Sequence, residues 1–270
     1  MSMGKQIDEP SYLRSQQYRD DTNLSARVRL HQRFSTNPLG WQRWLFDQMN
    51  IPDTAHVLEL GCGRGDLWWD NRDRISPVLQ ITLTDFSPGM LASAQERLVD
   101  VLPGGRFEVV DAQEIPLDDN QMDIVMANHM LYHVPDRARA FNEIRRVLQS
   151  NGTFFAATNG RGHLQELDEL LKAHAPEWET NNRDISFTLE NGLEQLQSWF
   201  SEVDCTVYPD GLDVTEVEPV VEYVLSTRAK DSLNPERIAS LREDVASRIA
   251  AEGVFHVTKR LGVFRCQGHA

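Results

Sequence analysis

Glu59, Gly61, Gly63 and Gly65 lie in the run Val57-Leu58-Glu59-Leu60-Gly61-Cys62-Gly63-Arg64-Gly65-Asp66-Leu67. These residue types, so spaced, can hold a nucleotide. Glycine reaches positive φ without steric cost and lets backbone N–H groups approach a ligand closely. Val57 to Leu60 read as a buried strand and a helix is expected to begin near Asp66, so the turn lies at a helix N-terminus that favours polar or anionic ligands. Asp85 ends the second expected strand, where an acid in an open α/β sheet accepts from ribose hydroxyls. His129 and His133, with Tyr132, follow the fourth strand; histidine titrates near neutrality and suits proton transfer. The spacing Glu-x-Gly-x-Gly-x-Gly differs from the Gly-x-Gly-x-x-Gly of hydride-transfer dinucleotide sites.

These groups need a scaffold that brings successive strand ends together. The pattern alternates strand and helix. Strands are expected at His56–Leu60, Gln80–Thr84, Arg106–Val110, Met122–Ala127 and Thr153–Thr158. Helices are expected from Asp66 to about Arg74, from Ser87-Pro88 through Leu98, and from Asp136 to Leu148. Serine at the cap with proline at the first helical position marks the second of these starts. Ser150-Asn151-Gly152 reads as the stop after the third helix.

Ahead of this alternation, Tyr12 to about Phe34 and Trp41 to about Met49 read as helices separated by Asn37-Pro38-Leu39-Gly40. Beyond it come helices at His163–Ala175, Glu190–Trp199, Glu216–Arg228 and Pro235–Ala251, with a polar connector at Asn181-Asn182-Arg183-Asp184. A strand at Glu202–Val207 and alternating residues at Val254–Val257 and Leu261–Cys266 complete the chain, the last two reading as an antiparallel hairpin at the sheet edge. Residues 1–50 are thus expected to form a helical preamble or lid. Residues 51–270 form the main domain, with helical insertions at about 161–185 and 212–252.

The motifs resemble those of the class I S-adenosylmethionine-dependent methyltransferases, in the broad group containing ubiquinone- and biotin-pathway enzymes. The resemblance is good over about residues 55–160 and loose over 187–266. It implies a doubly wound, Rossmann-like sheet of seven mostly parallel strands with an antiparallel C-terminal edge. It implies S-adenosyl-L-methionine as cofactor and S-adenosyl-L-homocysteine as product. The first motif carries Glu59, Gly61, Cys62, Gly63 and Gly65. Leu83-Thr84-Asp85-Phe86-Ser87-Pro88-Gly89-Met90-Leu91 is similar to the second, with Asp85 toward ribose and Phe86 and Met90 toward adenine. Asp111-Ala112-Gln113-Glu114 resembles the third, with Asp111 accepting from the adenine amino group and the Ala112 amide facing the ring. Asn128 falls where the family contacts the methionyl end, and Tyr18 in the preamble is a further cofactor candidate. Asn151 stands where the family has proline.

A small-molecule methyl acceptor is expected, attacking through O, N or C. A base is needed only where that atom must lose a proton, and His129, His133 and His31 are the candidates in that order. Asn128-His129-Met130-Leu131 is not the Asn/Asp-Pro-Pro-Tyr/Phe of base N-methylating enzymes, and neither a nucleophilic cysteine nor a metal cluster is expected.

A net charge of −14, with 41 acidic against 27 basic residues, argues against a polynucleotide substrate. An RNA- or protein-directed methyltransferase stays as an alternative through Arg137, Arg139, Arg145 and Arg146, as does a non-catalytic binder of the cofactor or its product. No apolar run reaches the roughly 18 residues of a membrane span. Three scattered cysteines and an N-terminus without an apolar segment point to a cytoplasmic protein.

Overall fold

The computed structural model describes residues 21–177 and 186–268, with side chains from residue 27 onward apart from that of Arg228. Tyr18 and the connector at 181–184 lie outside the described residues.

Strand β1 (His56–Leu60) is apolar apart from His56 and Glu59, and from Val57 onward it is buried on both faces. Such a run suits the centre of a parallel sheet covered by helices on both sides. It pairs in parallel with β2 (Gln80–Asp85) on one side and β4 (Met122–Asn128) on the other. β3 (Arg106–Val109) lies outside β2, and β5 (Leu148–Asn159) outside β4. β9 (Leu261–Gln267) runs antiparallel between β5 and β6 (Glu202–Val207). The order is β3-β2-β1-β4-β5-β9-β6, the seven-stranded sheet expected. It reverses direction of winding between β1 and β4, where open α/β sheets bind ligands at the strands' carboxyl ends.

Helices α1 (Asp21–Phe34) and α2 (Trp41–Met49) precede the sheet. Within it, α3 (Asp66–Asp70) follows β1, α4 (Pro88–Leu98) follows β2 and α5 (Arg137–Val147) follows β4. Ser87 Oγ accepts from Met90 N–H at 3.4 Å, and Asp136 Oδ1 accepts from Arg139 N–H at 3.0 Å. Then come α6 (Gln165–His174), α7 (Leu189–Gln197), α8 (Val217–Leu225) and α9 (Pro235–Glu252). Two apolar cores cover the two sheet faces. One joins Leu45, Trp68, Leu83 and Met126; the other joins Leu58, Val125, Phe141 and Phe264. A third core lies apart, where Leu30 and Phe34 of α1 meet Leu170, Val220 and Leu241 from α6, α8 and α9.

Three expectations change. Phe255–Thr258 does not form a hairpin with β9. As β8 it pairs with Gly211–Val214 (β7), Leu212 against Val257, in a separate two-stranded sheet. Alternation along both strands turns Leu212, Val214, Phe255 and Val257 into the third core, which the helices alone would leave open. The helix after β1 stops at Asp70 because the Asn71 amide donates to the Leu67 and Gln42 carbonyls, at 2.8 and 3.1 Å. β5 begins at Leu148, so Ser150-Asn151-Gly152 belongs to the strand, which pairs with β4 through a shift of register.

Gly65 starts α3 at φ +73°, and a Cβ there would lie 2.4 Å from Leu98 Cδ1. Gly65→Ala therefore combines backbone strain with overpacking against α4. A loss of about 1–3 kcal/mol is expected, read as a lower urea midpoint with unchanged slope.

Candidate active site

The glycine loop, the ends of β2 and β4 and the segment after β3 enclose a cavity of about 420 Å³. Glu59, Gly61, Cys62, Gly63, Asp85, Phe86, Met90, Asp111, Ala112, Gln113, Asn128, His129 and His133 all line it. Gly65 does not; its missing side chain makes room for Leu98.

Each side chain has a structural reason for its place. Thr84 Oγ1 donates to the Glu59 carbonyl at 2.9 Å, and Cys62 N–H donates to the Thr84 carbonyl at 2.8 Å, so the loop is stitched to β2. Asp85 holds it further, accepting from Gly63 N–H at 2.9 Å and Ser87 N–H at 2.8 Å. Burial raises the Asp85 pKa, opposed by those two donors. Burial also pushes the Cys62 thiol up, so this sulfur stays protonated and serves as a small wall residue.

Glu59 is buried at the centre. Its Oε2 accepts from Trp68 Nε1 at 2.6 Å and its Oε1 from Asn128 Nδ2 at 2.9 Å. The acid of β1 thus ties α3 to β4 across the reversal point. Burial lifts its pKa from 4.5 to about 7, despite the two donors. After β3, Asp111 accepts from both the backbone and the amide of Gln113, at 2.9 to 3.1 Å. Gln113 Oε1 in turn accepts from Asp136 N–H at 3.1 Å, bracing this wall against α5.

His129 follows β4 at φ +55°, its N–H donating to the Ala157 carbonyl at 2.9 Å. Its ring lies 5.3 Å from that of Trp41, its Nε2 is buried without a hydrogen bond, and burial lowers its pKa to about 4. His133 ends a single-turn helix, with its ring 4.6 Å from that of Tyr132.

His31 is corrected: it is not on the cavity wall. It sits on α1 beside the buried Lys259–Asp210 ion pair, its pKa lowered to about 4 by burial and by Lys259. Arg27, also on α1, donates to the hydroxyl and carbonyl of Ser226, both at 3.1 Å. Trp41, Gln42 and Met130, which the sequence did not single out as site residues, also line the cavity. The signal for Trp41 was its place directly after the Asn37–Gly40 break.

Residues 58–156 match the methyltransferase domain family. The ubiquinone/menaquinone biosynthesis C-methyltransferase UbiE of Idiomarina loihiensis is 29% identical over 114 residues, covering 42% of this chain and 45% of that protein. The demethylmenaquinone methyltransferase of Lactiplantibacillus plantarum is 32% identical over 111 residues, covering 40% and 47%. The matched stretch is thus under half the length of either relative. Phosphoethanolamine N-methyltransferase 2 of Haemonchus contortus, solved with S-adenosyl-L-methionine, superposes with a TM-score of 0.58 at 19% identity, over 97% of this chain and 60% of that one. YcgJ of Bacillus subtilis superposes with a TM-score of 0.56 at 13% identity, over 85% and 98%. At these identities the superpositions speak to the fold. Residues 58–156 thus carry the methyltransferase-domain match, on a sheet whose fold the solved structures share.

Glu59 makes stability depend on pH in a stated direction. Its folded pKa is raised, so between pH 4.5 and about 7 the folded chain keeps a proton that the unfolded chain releases. Stability therefore falls as pH rises through that window and levels off above it. Glu59→Gln should remove this contribution, roughly 3 kcal/mol in total. Urea denaturation at several pH values checks it; an unchanged slope would mean that Glu59 is ionised throughout.

Proposed function

We propose that the cavity binds S-adenosyl-L-methionine and that the chain transfers its methyl group in line to O, N or C of a small-molecule acceptor, releasing S-adenosyl-L-homocysteine. The observation that carries this is the convergence of Asp85, Asp111 and Asn128, from three successive strand ends, on one cavity roofed by the glycine loop. The residues fit the cofactor. Gly63 sits at φ +58°, and a side chain added there would find Met90 Cε as its nearest neighbour, 3.7 Å from the Cβ, so there is room against the loop. Asn128 Oδ1 is buried without a partner, an acceptor awaiting a donor.

In this reading Asp85 accepts from the ribose hydroxyls, Asp111 and the Ala112 amide serve the adenine, and Phe86 and Met90 supply apolar contact. Asn128, oriented by Glu59, takes the methionyl end. Bound there, the cofactor supplies an electrophilic methyl group on a sulfonium. The chain contributes position and exclusion of water, which carry much of the acceleration in a displacement of this kind. His129 is the leading candidate for accepting a proton from the acceptor, with His133 second. The helical layer built from α1, α6, α8 and α9 serves as the lid.

The relatives named for quinone methylation favour a small molecule. A polynucleotide is disfavoured on the surface too. Arg139 pairs with Glu114 and Arg146 with Asp119 and Glu143, which reduces the basic footprint of α5. Among the described residues no helix is long and apolar enough to cross a membrane. The free cysteines Cys62, Cys205 and Cys266 fit a cytoplasmic setting.

The test is a thermal melt with S-adenosyl-L-homocysteine. At ~100 times its dissociation constant the ligand should stabilise the wild type by roughly 2.7 kcal/mol, a shift of a few degrees. Asp85→Ala should lose most of that shift. No shift in wild type, with a nicotinamide or flavin nucleotide giving one instead, would refute the cofactor. Binding without turnover across a broad panel of metabolites would favour a sensor.

A further inference from the structure

The methyl-transferring reading leaves the acceptor open, and one end of the cavity bears on it. Trp41 and His129 line that end, their rings 5.3 Å apart. Behind them Tyr208 stands 5.4 Å from Trp41, with the Lys259 ammonium 5.3 Å over the Tyr208 ring. His129 Nε2 is buried and makes no hydrogen bond. A buried polar atom without a partner requires an explanation. The backbone that carries the ring is held at φ +55° at the end of β4, with its N–H donating to Ala157.

Resting on the methyltransferase reading, we propose that this end of the cavity seats the methyl acceptor, and that the acceptor is an uncharged, ring-bearing hydroxyl compound whose O–H donates to His129 Nε2.

The charges around the seat favour this class. Lys259 is paired with Asp210 in a buried ion pair. Arg64, in the glycine loop, pairs with Asp66 at 3.4 Å. His163 accepts the Arg260 N–H on Nδ1 at 3.1 Å, so its neutral ring carries the proton on Nε2. Burial keeps His129 neutral, and His163 well below its ordinary range; for His163 the neighbouring His31, His129 and Lys259 act in the same direction. A carboxylate or phosphate here would lose its hydration against neutral imidazoles and already-paired cations. A protonated amine would set a second positive charge beside the sulfonium. A hydroxyl avoids both costs, and the Trp41 ring gives its carbon frame an aromatic surface.

Charge also balances through the transfer. The acceptor oxygen bonds to the methyl carbon, the electron pair of the carbon–sulfur bond stays on sulfur, and the O–H proton passes to His129 Nε2. One positive charge leaves sulfur as one appears on the imidazole. The imidazole thus becomes a better base as the neighbouring cation disappears.

The experiment titrates phenol, benzoate and benzylamine separately into the S-adenosyl-L-homocysteine complex of ¹⁵N-histidine-labelled protein, following the imidazole nitrogens by NMR. Phenol should move the His129 resonances saturably and bind more tightly than the two charged probes. His129→Asn suits a left-handed backbone position but is too short to reach the same point. It should weaken phenol about tenfold while S-adenosyl-L-homocysteine affinity stays within about twofold, a difference well below one hydrogen bond. Trp41→Ala, distant in sequence and under no backbone constraint of this kind, should weaken phenol as well. Benzoate or benzylamine binding as tightly as phenol would overturn the acceptor class. Phenol affinity unchanged in both variants, or no saturable binding by any probe, would overturn the seat. Failure of the wild type to bind S-adenosyl-L-homocysteine would instead strike the cofactor reading.

Discussion

A carboxyl group held away from water at the end of the central strand organises this domain. Glu59 is bonded at once to the Trp68 indole and the Asn128 amide, so one side chain joins β1, the helix that leaves the glycine loop and the neighbouring strand β4. Burying a carboxyl group is costly unless its oxygens are satisfied, and here each oxygen has a donor. The arrangement fixes the two lips of the crevice where the sheet reverses its winding. Asp85 does the same for the loop itself, gripping Gly63 N–H. The cavity is therefore shaped by hydrogen bonds among the groups that are proposed to meet the ligand.

That double use has a physical consequence. Asp85 cannot offer both oxygens freely while it holds Gly63 and Ser87, but a carboxylate has about four acceptor positions. It can serve backbone and ribose together. Asn128 is similar: its amide nitrogen is spent on Glu59, which leaves its oxygen free for the proposed ligand. Preorganisation of this kind is what a site for a charged sulfonium and a displacement reaction requires.

The sequence made the sheet and the glycine loop readable because their signals are local. Apolar runs bounded by turns, Ser87 ahead of Pro88, and Asp136 at the start of an arginine-rich helix are decided by neighbours a few residues away. The residues proposed for the cofactor share that legibility, since Asp85 and Asn128 end strands and Asp111 follows one two residues on. What escaped was long-range. Asp210 accepts from Ser35 Oγ at 2.5 Å and from Asn37 N–H at 3.0 Å, and pairs with Lys259, contacts that no periodicity announces. The pairing of β7 with β8 was missed for the same reason. Val254–Val257 alternates as a sheet-edge strand would, but its apolar face is claimed by helices distant in the chain, α1 and α6 among them.

Those long-range contacts also shape the end of the cavity proposed to seat the acceptor. Asp210 is a hub: Ser35, Thr36, Asn37, Gly211 and Lys259 all donate to it, and together they pin the corner between α1 and α2. Trp41 begins α2 just beyond Asn37, so the direction in which its ring enters the cavity is set by a carboxylate that never touches the ligand. The half of the cavity proposed for the cofactor rests on the sheet. The acceptor half rests on this corner, on Tyr208 behind it and on the left-handed turn at His129. In the proposed reading, a change at the Asp210 corner would act first on the acceptor end, since Asp85, Asp111 and Asn128 are held by bonds that do not involve that corner.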